Sequence, residues 1–131
     1  MPRSLVLGNG NLLATFDEHL LLRDFYYPYV GEEDQTTYGH KHRVGILVEG
    51  KGFSWLDDGS WKIEPRYVAD TLIGTSRLLN ESLGISIEAG DFVHPVKDIL
   101  MRHFLVRAIG PEQLSVKIYF LLDVMLNKQF L

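Results

Sequence analysis

Two histidines, His40 and His42, flank Lys41 and would share one face of an extended strand. Two imidazoles at that spacing can begin a zinc or copper site, but structural and catalytic sites need three or four ligands. His19, His94 and His103 stand at no spacing that would complete the set. Exposed loop histidines are therefore expected, and no metal is assigned. Glu32-Glu33-Asp34 and Asp57-Asp58 are the paired acids. Glycoside cleavage needs two carboxylates on opposite sides of the scissile bond, which neighbours in a turn do not provide. Turn chemistry fully explains Asp57-Asp58-Gly59-Ser60. Gly8-Asn9-Gly10 could suggest a dinucleotide-binding loop, but position 13 is Leu where a third glycine is needed, and a strand follows rather than a helix. Ser54, Ser60, Ser76 and Ser86 sit in ordinary strand and turn contexts, with no His and Asp set around them. Asn80-Glu81-Ser82 matches a glycosylation sequon but reads as a hairpin turn. No catalytic residue and no cofactor is assigned to the chain.

The densest chemical feature is aromatic. Phe25, Tyr26, Tyr27 and Tyr29 lie together in Arg23-Asp24-Phe25-Tyr26-Tyr27-Pro28-Tyr29-Val30-Gly31. Pro28 forbids a helix and holds Tyr27 extended, so a strand should run out into a rigid aromatic loop. Flat rings with polar edges can stack on sugar faces or anchor a partner surface. Phe25, Tyr26, Tyr27 and Tyr29 are the interface or sugar-stacking candidates. The structural alternative is that Phe25, with Tyr27, plugs the end of a core. Trp55 and Trp61, on either side of the Asp57 turn, read as core or rim rather than as a sugar platform.

Such a loop needs a scaffold, and the chain is long enough to build one. Its 131 residues make one domain or a piece of one, able to bury about two-thirds of the unfolded surface. With 46% hydrophobic and 23% charged residues the balance is globular. A net charge of -4 without a basic stripe argues against nucleic acid. The absence of cysteine excludes disulfides and thiolate metal sites. No apolar run matches a signal peptide or a membrane-spanning helix, so a cytoplasmic location is expected.

The scaffold reads as strands throughout. Leu5-Val6-Leu7 and Leu12 to Phe16 flank a tight turn at Gly8-Asn9-Gly10-Asn11, and Leu20 to Phe25 completes a meander. Val44, Ile46 and Val48 alternate at the strand period of two. Phe53 to Trp55, Trp61 to Tyr67, Thr71 to Leu79 and Leu83 to Phe92 follow, the last with Leu83, Ile85, Ile87 and Ala89 on one face. Ile99 to Ile109 is apolar on both faces, which predicts a central, covered strand. Gln113 to Leu122 alternates, with Leu114, Val116, Ile118 and Phe120 inward, and Leu121 to Leu131 could finish as a short helix. Nine or ten strands with turns every eight to twelve residues predict an all-β, antiparallel two-sheet sandwich or a barrel. Val124, Met125, Leu126, Phe130 and Leu131 run to the end with no boundary signal. An unpaired sheet edge is expected there, covered by further chain of the same domain or by another chain.

Several stretches taken together resemble one family. Leu5 to Leu13, then Arg23 to Pro28 with Gly31, look like the start of prokaryotic glucoamylases and glucodextranases of glycoside hydrolase family fifteen. Asp91-Phe92-Val93-His94-Pro95, with Asp98, Ile99 and Arg102, looks like a second signature of the same N-terminal domain, and Val116 to Phe120 through Asp123 resembles the strand that follows. The resemblance implies part of a supersandwich of the galactose-mutarotase kind. It implies a non-catalytic domain in front of an (α/α)6 barrel whose two glutamates hydrolyse α-glucosidic bonds with inversion. No position here matches the barrel's motifs, and the family's domain is roughly twice as long. The expectation is an accessory domain, inactive alone, whose aromatic loop docks the barrel or shapes the rim of its active site. The alternatives are a free-standing carbohydrate-binding module for α-glucan and a structural module that pairs an open strand edge with a partner or with itself.

Overall fold

The computed structural model describes residues 3–28 and 42–123. Ten strands follow one another among them: β1 (Leu5–Gly8), β2 (Leu13–Phe16), β3 (Leu22–Tyr26), β4 (Arg43–Val48), β5 (Gly52–Trp55), β6 (Lys62–Glu64), β7 (Gly74–Asn80), β8 (Ile85–Val93), β9 (Leu100–Ala108) and β10 (Val116–Leu121). There is no helix among the described residues, and so none long and apolar enough to cross a membrane. Of the stretch that could finish as a short helix, Leu121 closes β10, and residues 124–131 lie outside the described residues.

The strands form three antiparallel sheets in the orders β1-β2-β3, β10-β4-β5 and β6-β7-β8-β9. The expectation was two sheets. The difference lies between β3 and β4, where an isolated Leu22–His42 bridge links the two three-stranded sheets. Both of them pack into one core with the four-stranded sheet, so the fold is an all-β antiparallel sandwich. Alternation decides which residues fill it. Val44, Ile46 and Val48 of β4 are buried, as are Ile85, Ile87 and Ala89 of β8. From the meander come Leu5, Leu7, Ala14 and Phe16. Burying each large apolar side chain contributes about 1.5–3 kcal/mol, which is why a short alternating run is enough to fix which face turns inward.

The turns are as their residue types demand. In the β1–β2 turn Asn9 Oδ1 accepts from the N–H groups of Asn11 (3.0 Å) and Leu12 (2.9 Å), while Gly10 takes a φ of 97°. Asn80 Oδ1 accepts from Leu83 N–H at 2.9 Å between β7 and β8. Asn80 itself is buried, and its amide donates to Ser60 Oγ at 3.0 Å. The sequon asparagine is thus a turn residue inside the fold.

Two expectations are corrected. The stretch Ile99 to Ile109 is not a central strand: β9 is outermost in its sheet among the described residues. Its inner face is half-buried, and Met101 and Leu105 on the outer face are 46% and 38% exposed. Apolar residues on both faces call for cover on both sides, and the described residues supply it on one. Phe120 does point inward, but β10 is also outermost, so its ring remains 51% exposed.

Candidate functional site

The aromatic stretch begins inside β3. Phe25 pairs in register with Ala14 and Tyr26 with Leu13, so strand alternation sends the two rings to opposite faces. Phe25 is half-buried and packs against the core. Tyr26 is half-buried, Tyr27 is 43% exposed, and Tyr29 lies outside the described residues. The Tyr27–Pro28 peptide bond is cis. Phe25 therefore anchors the stretch while Tyr27 faces solvent.

The two residues ahead of the rings have a structural task that their types alone did not reveal. The register slips between Thr15 and Phe16, so that Asp24 pairs with Thr15 and Leu22 with Phe16, leaving Arg23 bulged. Asp24 is buried; it accepts from Thr15 Oγ1 at 2.6 Å and from Arg3 Nε at 2.9 Å. Burial alone would raise its pKa. The Thr15 hydroxyl, the Arg3 guanidinium by hydrogen bond and charge, and the Arg23 charge outweigh that and hold the carboxyl below its ordinary range.

The remaining motif residues meet in space. Asn9 Nδ2, from the β1–β2 turn, reaches His94 O at 3.0 Å, Lys97 O at 3.2 Å and Asp98 Oδ1 at 3.3 Å. His94 Nδ1 accepts from the backbone N–H groups of Lys97 (2.9 Å) and Val96 (3.1 Å) and thereby shapes the β8–β9 loop. Asp91, fully buried, accepts from Arg102 Nε at 2.6 Å, and Arg102 Nη2 donates to Leu20 O at 3.0 Å. The Arg102 guanidinium also lies 4.6 Å from the Phe16 ring centroid. The Asn9–His94 and Arg102–Leu20 bonds span 85 and 82 residues of sequence and tie the meander to the four-stranded sheet. Asn9, Asp91, His94, Asp98 and Arg102 hold the fold together.

The other chemical candidates are placed as follows. Contrary to the expectation of an exposed loop histidine, His42 is buried at the bridge to Leu22, because the strand pairing begins there, while His40, Lys41 and the Glu32-Glu33-Asp34 cluster lie outside the described residues. Among the described residues no group of three or more His, Cys, Asp or Glu could hold a metal ion. Asp57 pairs with Arg43 at 3.1 Å. Asp58 accepts from the hydroxyls of Ser54 and Ser60 and from Ser60 N–H. Burial tends to raise the Asp58 carboxyl; these hydrogen bonds and the Arg43 charge bring it below its usual range. The two acids therefore look to different partners and do not face one another across a cleft.

Sequence reasoning missed one cluster. On the outer face of β10-β4-β5, Gly45 is flanked in register by Tyr119 and Trp55. The Phe53 ring fills the space a side chain would take, so that a Cβ on Gly45 would collide with Phe53 Cζ. Phe53 meets Trp55 edge to face at 4.9 Å and Tyr119 at 5.9 Å. Arg43 covers the Trp55 ring at 4.2 Å. Trp61, by contrast, is in the core, with Nε1 donating to Ser54 Oγ at 2.9 Å. The available signal was the period of two, which puts Phe53 and Trp55 on the face opposite buried Ser54.

No protein-family model matches the chain, and no solved structure matches it. A protein of Methanocaldococcus jannaschii named an uncharacterized glycosyl hydrolase is 26% identical to it over 115 residues, which is 88% of this chain and 18% of that protein. The chain thus spans less than a fifth of the length of the relative it matches. The similarity links it to a glycosyl-hydrolase-related sequence.

Proposed function

We propose that the chain is a non-catalytic β-sandwich domain of a glucoamylase-like glycoside hydrolase, part of a supersandwich that supports or docks an (α/α)6 catalytic barrel. The observation that carries this is the similarity running along nearly the whole chain to a small part of a protein named a glycosyl hydrolase. Four of the described acids also have structural duties: Asp24, Asp57, Asp58 and Asp91 are each engaged by a hydroxyl or a guanidinium within the fold. The exposed Tyr27, which follows the strand that Phe25 fixes to the core, is the docking element.

A second reading, carbohydrate binding by the chain itself, is favoured by the exposure of Tyr27, Phe53 and Tyr119, each 43–44%. Titration with maltose and isomaltose, followed by tryptophan and tyrosine fluorescence, separates the two. Docking predicts no saturable change and no released glucose. A saturable change lost in Phe53→Ala or Tyr27→Ala favours sugar binding, and glucose released by the chain alone overturns the non-catalytic assignment.

A further inference from the structure

The side-chain amide that ties the β1–β2 turn to the β8–β9 loop sits where the main chain can consume it. Asn9 is followed by Gly10, whereas Asn11, Asn80 and Asn127 precede Leu12, Glu81 and Lys128. Gly10 has no side chain to hinder approach, so its main-chain nitrogen can attack Asn9 Cγ. That step closes a cyclic imide and expels the side-chain nitrogen as ammonia. Water then opens the ring at either carbonyl, leaving aspartate or isoaspartate at position 9. Gly10 is exposed, and the space where its Cβ would stand is open, so water reaches the turn.

We propose that Asn9–Gly10 is a deamidation site guarded by the fold, and that its conversion unlocks the turn from the loop. The guard is the set of bonds on the amide. Asn9 Oδ1 accepts from Asn11 and Leu12 N–H at 3.0 and 2.9 Å, and Nδ2 donates to His94 O, Lys97 O and Asp98 Oδ1 at 3.0, 3.2 and 3.3 Å. Attack makes Cγ tetrahedral and expels Nδ2, so the amide must first leave its partners on both sides. The reaction therefore waits on opening of the loop. The damage follows from what replaces Nδ2. A carboxylate there has nothing to donate, and it faces two carbonyl oxygens and the charge of Asp98. Isoaspartate also adds a methylene to the main chain, in a turn closed by the Gly8–Leu13 pairing and by Asn9 N–H to Leu12 O at 3.1 Å. The Arg102–Leu20 bond then remains to hold the meander to the four-stranded sheet. This inference is independent of the glycosyl-hydrolase assignment.

The full chain, kept warm at mildly alkaline pH with and without unfolding urea, tests the guard. Peptide mass spectrometry with isoaspartate detection should find Asn9 converted ahead of Asn11 and Asn80 in urea. In the native chain Asn9 should react at least about tenfold more slowly, as a loop open in about a tenth of the molecules or fewer requires. Equal or faster conversion in the native chain, or an Asn9 that stays intact in urea, overturns the guarded site. The unlocking is tested by substitution. Asn9→Asp should unfold at lower urea than Asn9→Ser, which also loses the tie but adds no charge beside Asp98. Adding Asp98→Asn to Asn9→Asp returns a donor to the pair and should recover most of the difference. If Asn9→Asp does not fold, the aged native chain replaces it, and its Val96 and Lys97 amides should exchange faster than those of the fresh protein. Asn9→Asp as stable as Asn9→Ser, no recovery on adding Asp98→Asn, or unchanged exchange in the converted protein overturns the unlocking.

Discussion

Asp24 and Asp91 show how charges are held inside this sandwich. Asp24 has a depressed folded pKa, so its contribution is present above the unfolded value near 3.9 and is lost as pH falls through the folded value. Asp58 acts in the same direction. The urea midpoint of the native chain should therefore fall more steeply below about pH 5 than that of Asp24→Asn, and a parallel fall in both proteins would refute the role. Asp91 is a stronger case because it is fully buried against Arg102. Arg102→Met leaves an uncompensated buried carboxylate and should cost about 3–5 kcal/mol in urea unfolding, most of it recovered in the Asp91→Leu, Arg102→Met double variant. Neither tie was legible in the sequence as a tie. Asp24 stood out as the lead-in to an aromatic run and Asp91 as a motif letter, because side-chain pairing across 9 or 11 residues depends on strand register, which local residue types do not specify.

At the scale of elements, the strands were legible because each buries one face, and Val44-Ile46-Val48 or Ile85-Ile87-Ala89 states that face directly. The turns were legible through Asn9-Gly10 and Asp58-Gly59, where the glycines take φ values of 97° and 90°. Strand position within the sheets was not. Ile99 to Ile109 has the apolar pattern of a covered strand, yet among the described residues its one neighbour in the sheet is β8, the strand just before it. The connection between the β1–β2 turn and the β8–β9 loop was equally hidden. It gives a direct expectation: His94→Ala removes the acceptor for two backbone N–H groups and should speed amide exchange at Val96 and Lys97 by about fivefold, as loss of roughly 1 kcal/mol implies. His94→Asn, whose carbonyl can stand near the Nδ1 position, should restore most of the protection. Equal exchange in all three proteins would mean that the loop is held by Asn9 alone.

For the whole molecule, the sandwich class could be read from strand number and spacing, whereas the division of one layer into two sheets could not, since it turns on a sparse Leu22–His42 junction. Of the described part of the aromatic stretch, Phe25 packs half-buried against the core and Tyr27 is exposed, and the motif residues Asn9 and Arg102 tie sheets together. The central claim is that such a sandwich serves a glycoside hydrolase without performing its chemistry. The most direct measurement is glucose release from an α-linked glucan, with the anomer followed by NMR, by three proteins: this chain, the Methanocaldococcus jannaschii relative, and that relative with its matching stretch deleted. The account predicts release with inversion by the intact relative, a loss of activity or thermal stability on deletion, and no release by this chain. Glucose release by this chain alone, or an intact relative that leaves α-glucosidic bonds uncut, would contradict it.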